Sequence, residues 1–224
     1  MATNETSLQN QKSAIEEMKR RDRPVANLLG GNKIIALPNV YAGWLDSELM
    51  CEVIQIPRDA VVLDLCTGTG VIAIKAVQLG AKQVIAVDLN PEAVKSAKLN
   101  ADTLKVNMDV REGSLFEPVK GMTFDVIIIN PPYINHEAAD KTEICFWDGG
   151  NSVTRQFFDE YRGYLKPGGK AYLAWGDFAD IDLLQTLAAE HNVQLKLLGS
   201  KVTPSGQETF LAYEFVESSK ILIA

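Results

Sequence analysis

Apolar positions along this chain follow two rhythms. From residue 60 onward, short runs in which almost every residue is apolar alternate with longer stretches whose apolar positions recur every third or fourth residue. The runs AVVLDL (60–65), QVIAVD (83–88), FDVIIIN (124–130) and KAYLAW (170–175) read as strands buried on both faces. A weaker strand is expected over 106–111. Between them the spacing predicts helices over 70–79, 91–101, 152–165 and 178–190, with Pro91 suited to a first helical turn. Alternation of this kind predicts a parallel sheet with helices on both faces. Near the end, VQLKLLGSKV and ETFLAYEFV flank a turn-rich 203–207, so an antiparallel hairpin is expected at the sheet edge. The fold class is therefore α/β: a Rossmann-like, seven-stranded, mostly parallel sheet.

Before residue 60 the pattern is looser. Residues 6–29 are helix-compatible, with Ile15, Met18, Val25 and Leu29 loosely periodic until Gly30 and Gly31 interrupt them. They predict a helical N-terminal arm or lid over 1–45, ahead of a main domain over 46–224. DSELMCEV opens with Asp46 as a capping residue and is closed off by Pro57, giving a short helix before the first long strand.

Composition narrows the setting. With 224 residues, 46% of them hydrophobic and 23% charged, the chain suits one medium domain and has no run long enough to span a bilayer. Its polar, mixed-charge beginning lacks the apolar centre of a secretory signal, so a cytoplasmic location and no membrane role are expected. Cys51, Cys66 and Cys145 are widely spaced and His136 and His191 stand alone, a pattern that predicts neither disulfides nor a metal site. A net charge of −7 disfavours nucleic acid, although Lys19, Arg20, Arg21 and Arg23 form a local basic patch.

The first glycine-rich turn adds chemistry. Asp64-Leu65-Cys66-Thr67-Gly68-Thr69-Gly70 leaves a buried strand and opens a helix, where Gly68 and Gly70 allow a tight turn and close approach by a ligand. GTGVIA also satisfies the dinucleotide form GxGxxA, so the turn by itself implies only a nucleoside-type ligand. Asp64 favours S-adenosylmethionine, because a carboxylate there can help hold an ammonium and would repel a pyrophosphate. The plainer reading of Asp64 is a turn or capping aspartate. Asp88, followed by Leu89-Asn90-Pro91, is placed to accept ribose hydroxyls, or simply to cap the next helix. Ser114-Leu115 follows the weak strand where the adenine would lie, and the Ser114 hydroxyl can accept from its amine.

Asn130-Pro131-Pro132-Tyr133 stands at the carboxyl end of the strand FDVIII, the edge at which open α/β sheets bind ligands. Two prolines stiffen the backbone, so the Asn130 side chain and the Pro131 carbonyl are expected as fixed acceptors with Tyr133 as a flat wall. That set suits an NH2 group on a planar carbon, whose hydrogens bond the two oxygens as its nitrogen attacks a methyl donor. The competing reading is a proline-stiffened loop in which Tyr133 only packs.

DLCTGTG, AVDLN and NPPY in this order resemble the HemK-type methyltransferases, class I enzymes that modify glutamine in translation release factors. Val40-Tyr41 before Asp46-Ser47-Glu48-Leu49, and Phe146-Trp147-Asp148-Gly149-Gly150 after NPPY, extend the resemblance over about 40–215. It implies S-adenosylmethionine as cofactor, held by Asp64, Cys66, Thr67, Gly68, Gly70, Asp88, Leu89, Ser114, Leu115 and Asn130. It also implies a target amide held by Asn130, Pro131, Pro132 and Tyr133, with Tyr41 and Trp44 beside it. The chain departs from the bacterial members in having a short arm in place of their large substrate-recognition domain, and Ala42-Gly43-Trp44-Leu45 in place of their Pro-rich stretch. Shorter relatives work with a small partner protein, so a partner or a homodimer is an expectation here. The substrate expected is a protein or peptide glutamine, or a small molecule with a similar NH2 group. Adenine in RNA or DNA is the rival within enzymes, a dinucleotide oxidoreductase a lesser one, and a catalytically silent binding module the alternative outside them.

Overall fold

The computed structural model describes residues 5–217; the outermost residues of the two expected segments, 1–4 and 218–224, lie outside it. The chain runs through α1 (Glu5–Arg20), β1 (Val25–Leu29), β2 (Asn32–Ala36) and α2 (Leu45–Val53) before the main sheet begins. There follow β3 (Val61–Leu65), α3 (Val71–Gln78), β4 (Gln83–Asp88), α4 (Pro91–Leu104), β5 (Asp109–Glu112) and β6 (Phe124–Ile129). The last elements are α5 (Ser152–Tyr164), β7 (Leu165–Gly176), α6 (Ile181–Glu190), β8 (Val193–Val202) and β9 (Thr209–Glu217).

The seven strands of the main sheet lie in the order β5-β4-β3-β6-β7-β9-β8, parallel except where β9 pairs antiparallel with β7 and β8. Successive residues of each central strand serve opposite cores. Val62, Ala86 and Ile128 point into one cluster with Leu49, Ile72 and Val94 from α2, α3 and α4. Leu63, Ile85 and Ile129 join the other with Phe157, Phe158 and Leu184 from α5 and α6. A strand sealed on both faces has no solvent side to read as polar, which is why these segments are continuous apolar runs.

The chain builds β3, β4 and β5 outward in one direction and then returns to place β6 on the other side of β3. This reversal is the topological switch point, where loops leaving adjacent carboxyl ends diverge and open a crevice. Leu65 of β3 is in register with Ile129 of β6, so the glycine turn and the Asn130 corner emerge side by side.

The N-terminal segment differs from the expected continuous helix. Helical structure stops at Arg20, and β1 pairs antiparallel with β2 across Gly30-Gly31. Both glycines have positive φ, 57° and 80°, as a two-residue hairpin turn requires. Leu29 and Ile34 of this hairpin, with Ile15 and Met18 of α1, belong to the same core cluster as the sheet. Among the described residues, no helix is long and apolar enough to cross a membrane.

Candidate active site

At the switch point the loop after β3 bends sharply. Cys66, Gly68 and Gly70 all have positive φ, 57°, 55° and 81°. At Gly70 a side chain would press within 3.0 Å of Ala97 Cβ and of Met108 Cε, so its absence lets α3 pack on α4. At Gly68 nothing lies within 4 Å of where a Cβ would sit, so the backbone there faces open space that a ligand can occupy.

That space is a cavity of about 320 Å³. Its walls include Cys66, Thr67 and Gly68 from the glycine turn, Asp88 and Leu89 after β4, Ser114 and Leu115 after β5, and Asn130 and Pro132 after β6. The Asp88 carboxylate accepts the amides of Gly68 (2.8 Å) and Asn90 (2.9 Å), which aim it across the glycine turn and leave lone pairs over. Burial raises its pKa, against the pull of those backbone N–H groups. Burial also raises the Cys66 thiol well above its ordinary range, leaving it a neutral wall residue.

Asp64 stands behind this wall. It is fully buried, accepts the Thr67 hydroxyl at 2.6 Å through Oδ2, and leaves Oδ1 buried without a hydrogen-bond partner. Desolvation pushes its pKa up to about 7, the Thr67 bond opposing. It therefore reaches the cavity through Thr67, whereas the sequence placed it directly beside a ligand's ammonium. Together these groups fit S-adenosylmethionine: an anionic acceptor for ribose hydroxyls at Asp88, apolar walls at Leu89 and Leu115 for a purine, and open backbone at Gly68 that a ligand can approach closely.

A second cavity, of about 850 Å³, lies against the first and is walled in part by α1 and by the β8–β9 turn. Pro131, Tyr133, Trp44 and Phe210 line it, and Tyr41, Gly43, Asn130 and Cys145 belong to the walls of both cavities. The Tyr133 ring is held by edge contacts to Trp175 (5.8 Å) and Phe178 (6.1 Å), and Trp44 stands edge-on to Phe210 at 5.8 Å. Asn130 Nδ2 donates to Asp46 Oδ2 at 2.8 Å, and the Tyr133 hydroxyl donates closely to Asn130 Oδ1. Burial raises both Tyr133 and Tyr41 well above the usual phenol range, so both hydroxyls stay protonated donors.

The structure thus brings most of the residues singled out in the sequence around two adjoining chambers, with Asn130 and Tyr41 between them. Asp64 and Gly70, also expected to hold the cofactor, line neither, the one lying behind Thr67 and the other packing α3 on α4. Asp46, read in the sequence as a helix cap, is instead the second residue of α2, which begins after Trp44. One oxygen of its carboxylate stays at that helix end on the Trp44 amide, and the other reaches the Asn130 corner, a contact across 84 residues that local sequence cannot display.

A methyltransferase small domain model matches residues 31–196. The chain belongs to that family. It is 36% identical over 185 residues to a candidate protein N5-glutamine methyltransferase of Methanocaldococcus jannaschii, covering 79% of this chain and 89% of that one. It is also 36% identical over 174 residues to a release factor glutamine methyltransferase of Geobacter sulfurreducens, covering 67% of this chain and 60% of the relative. A Shewanella oneidensis enzyme of the same description is 32% identical over 180 residues, covering 71% and 63%. The chain therefore spans about three-fifths of these bacterial relatives. Among solved structures, a Pyrococcus furiosus methyltransferase shares the fold with TM-score 0.62 and 18% identity over 95% of this chain and 99% of that one. The T. thermophilus 16S rRNA N2 G1207 methyltransferase, solved with AdoMet and guanosine, superposes with TM-score 0.66 and 22% identity over 86% of this chain and 50% of its own. As a member of this HemK-like methyltransferase family the chain is an enzyme, and S-adenosylmethionine is its methyl donor.

Proposed function

We propose that this methyltransferase places a methyl group on the side-chain amide nitrogen of a glutamine in a protein or peptide. The observation that carries the reading is the position of Asn130 in the wall common to both chambers, one suited to the donor and the other to the acceptor. Support also comes from the archaeal and bacterial relatives, described as protein N5-glutamine and release factor glutamine methyltransferases. S-adenosylmethionine, when bound, supplies a methyl group on a positively charged sulfur and so an already activated donor.

The chain's own contribution is orientation and electrostatics. Asn130 Oδ1 and the Pro131 carbonyl accept the two hydrogens of the amide NH2, which turns the nitrogen toward the donor chamber and favours the positive charge it gains. Once the nitrogen has taken the methyl it must shed one of those hydrogens as a proton. The two amide oxygens orient it but are too weakly basic to keep it, so it passes to solvent water as the product leaves. Tyr133 packs on the flat face of the amide, fixed by Trp175 and Phe178. Asp88, aimed by the Gly68 and Asn90 amides, holds the ribose of the donor.

Label from methyl-labelled S-adenosylmethionine, offered with glutamine-containing release-factor peptide, RNA and metabolite pools separately, tests the substrate class. Incorporation into peptide, lost when its glutamine is replaced by glutamate, is expected. Incorporation into RNA alone would transfer the assignment to the exocyclic amine of a base, which presents the same pair of hydrogens.

A further inference from the structure

The proposed acceptor grip has a weak point in chemistry: an asparagine amide can turn over, and only one of its two orientations offers oxygen to a substrate NH2. We infer that Asp46 is the positioning residue that fixes this orientation, a role that rests on the amide-methylating reading above. Asp46 is 3% exposed, and its carboxylate gathers donors from two segments of the chain, 41–47 and 130–133. Oδ1 accepts the Tyr41 hydroxyl at 3.0 Å, the Trp44 amide at 3.2 Å and the Ser47 hydroxyl at 3.4 Å. Oδ2 accepts Asn130 Nδ2 at 2.8 Å and the Tyr133 hydroxyl at 3.3 Å.

A carboxylate only accepts, so the side of Asn130 that faces Asp46 must be the NH2. Oδ1 is thereby turned away from Asp46, where the Tyr133 hydroxyl now donates to it. That hydroxyl also reaches Asp46 Oδ2. When a substrate NH2 arrives, the Tyr133 O–H turns from Asn130 to Asp46, and Asn130 Oδ1 is released to the substrate without any buried donor losing its partner. No proton changes owner in this exchange. Asp46 also places a negative charge behind the asparagine, on the side opposite a nitrogen that becomes positive during transfer. The device spans α2 and the β6 corner, so the segment preceding the main sheet takes part in the acceptor site.

Asp46→Asn keeps the shape and removes the one-way acceptor, since its own amide can donate as well. With a glutamine peptide that the wild type methylates, Asn130→Ala is expected to lower kcat about a hundredfold and Asp46→Asn about ten- to a hundredfold. Asp46→Asn, which lies outside the donor chamber, is expected to leave the dissociation constant for S-adenosylmethionine within about twofold. The double variant is expected to be no more than about twofold slower than Asn130→Ala alone, because the aspartate acts through the asparagine. Wild-type kcat in Asp46→Asn, or two independent losses that multiply in the double variant, would overturn the assignment. A second readout needs no acceptor: the side-chain amide protons of Asn130, identified by their loss in Asn130→Ala, should include one shifted downfield by the carboxylate. That shift should collapse in Asp46→Asn. An unmoved resonance refutes the positioning role even if no peptide is methylated, whereas a collapsed resonance with an inert peptide pool counts against the substrate alone.

Discussion

Single residues decide how the donor chamber responds to ligand and to pH. Asp88 is aimed by two backbone amides, and removing its carboxylate takes away charge-assisted bonds worth about 1.5–3 kcal/mol each. Asp88→Ala should therefore weaken S-adenosylmethionine binding by about tenfold or more in calorimetric titration, and an unchanged dissociation constant would remove the ribose assignment. Asp64 makes a different prediction. Its folded pKa, near 7, lies above that of the unfolded chain, so the native state holds a proton that the unfolded state has already lost. The stability this gives is complete below about pH 4, is lost as pH rises toward 7, and is level above that. Asp64→Asn has no such charge. Thermal melts should show the difference between variant and wild type moving in favour of Asp64→Asn from pH 4 to 7 and then holding constant. A difference independent of pH would show that Asp64 is an ordinary carboxylate.

At the scale of elements, the central strands and their helices were legible because burial on both faces leaves a pattern with no ambiguity about period. The hairpin of β1 and β2 was not. Only Leu29 of β1 is buried while Leu28 is 83% exposed, so the alternation that marks a half-buried strand is missing and the loose apolar spacing mimics a helix. Gly30-Gly31, read as a helix breaker, is the hairpin turn. Of the site, the glycine turn, Asp88 and the NPPY corner were legible because each is a local run at a strand end. Asp46 was not, because the donors that define it come from as far as 87 residues away. A side chain of α4 holds the hairpin in place. Asn100, fully buried, accepts the Ile35 amide at 2.8 Å and donates to the Ile35 carbonyl at 2.7 Å and the Thr69 carbonyl at 2.9 Å. Asn100→Ala leaves the Ile35 amide without its acceptor and takes a donor from the Thr69 carbonyl, while the Ile35 carbonyl keeps the Ser96 hydroxyl at 2.8 Å, at a cost of about 1–3 kcal/mol. Differential scanning calorimetry should record a Tm lower by roughly 2–12 °C, and hydrogen exchange should quicken in 25–36. Unaltered exchange there would mean that the hairpin is held by its apolar contacts alone.

The molecule as a whole is one sheet whose two cores are separate while its two chambers adjoin. The donor chamber assigned above to S-adenosylmethionine is walled by the loops after β3, β4, β5 and β6, so the binding energy of a ligand held there is coupled to global folding. At a ligand concentration of about 100 times the dissociation constant the native state gains about 2.7 kcal/mol, so the melting temperature should rise by roughly 5–11 °C. NAD at the same concentration should leave it in place. A rise with NAD alone would return the glycine turn to a dinucleotide.

Tyr41, Gly43, Asn130 and Cys145 form a party wall with a different compartment on either side of it. One compound could fill both at once: an adenosine joined by a short tether to a carboxamide would have its second half delivered at millimolar effective concentration by the first. Such a hybrid inhibitor would outcompete either fragment by orders of magnitude, and the tether length that works best would serve as a ruler for the path the methyl group travels.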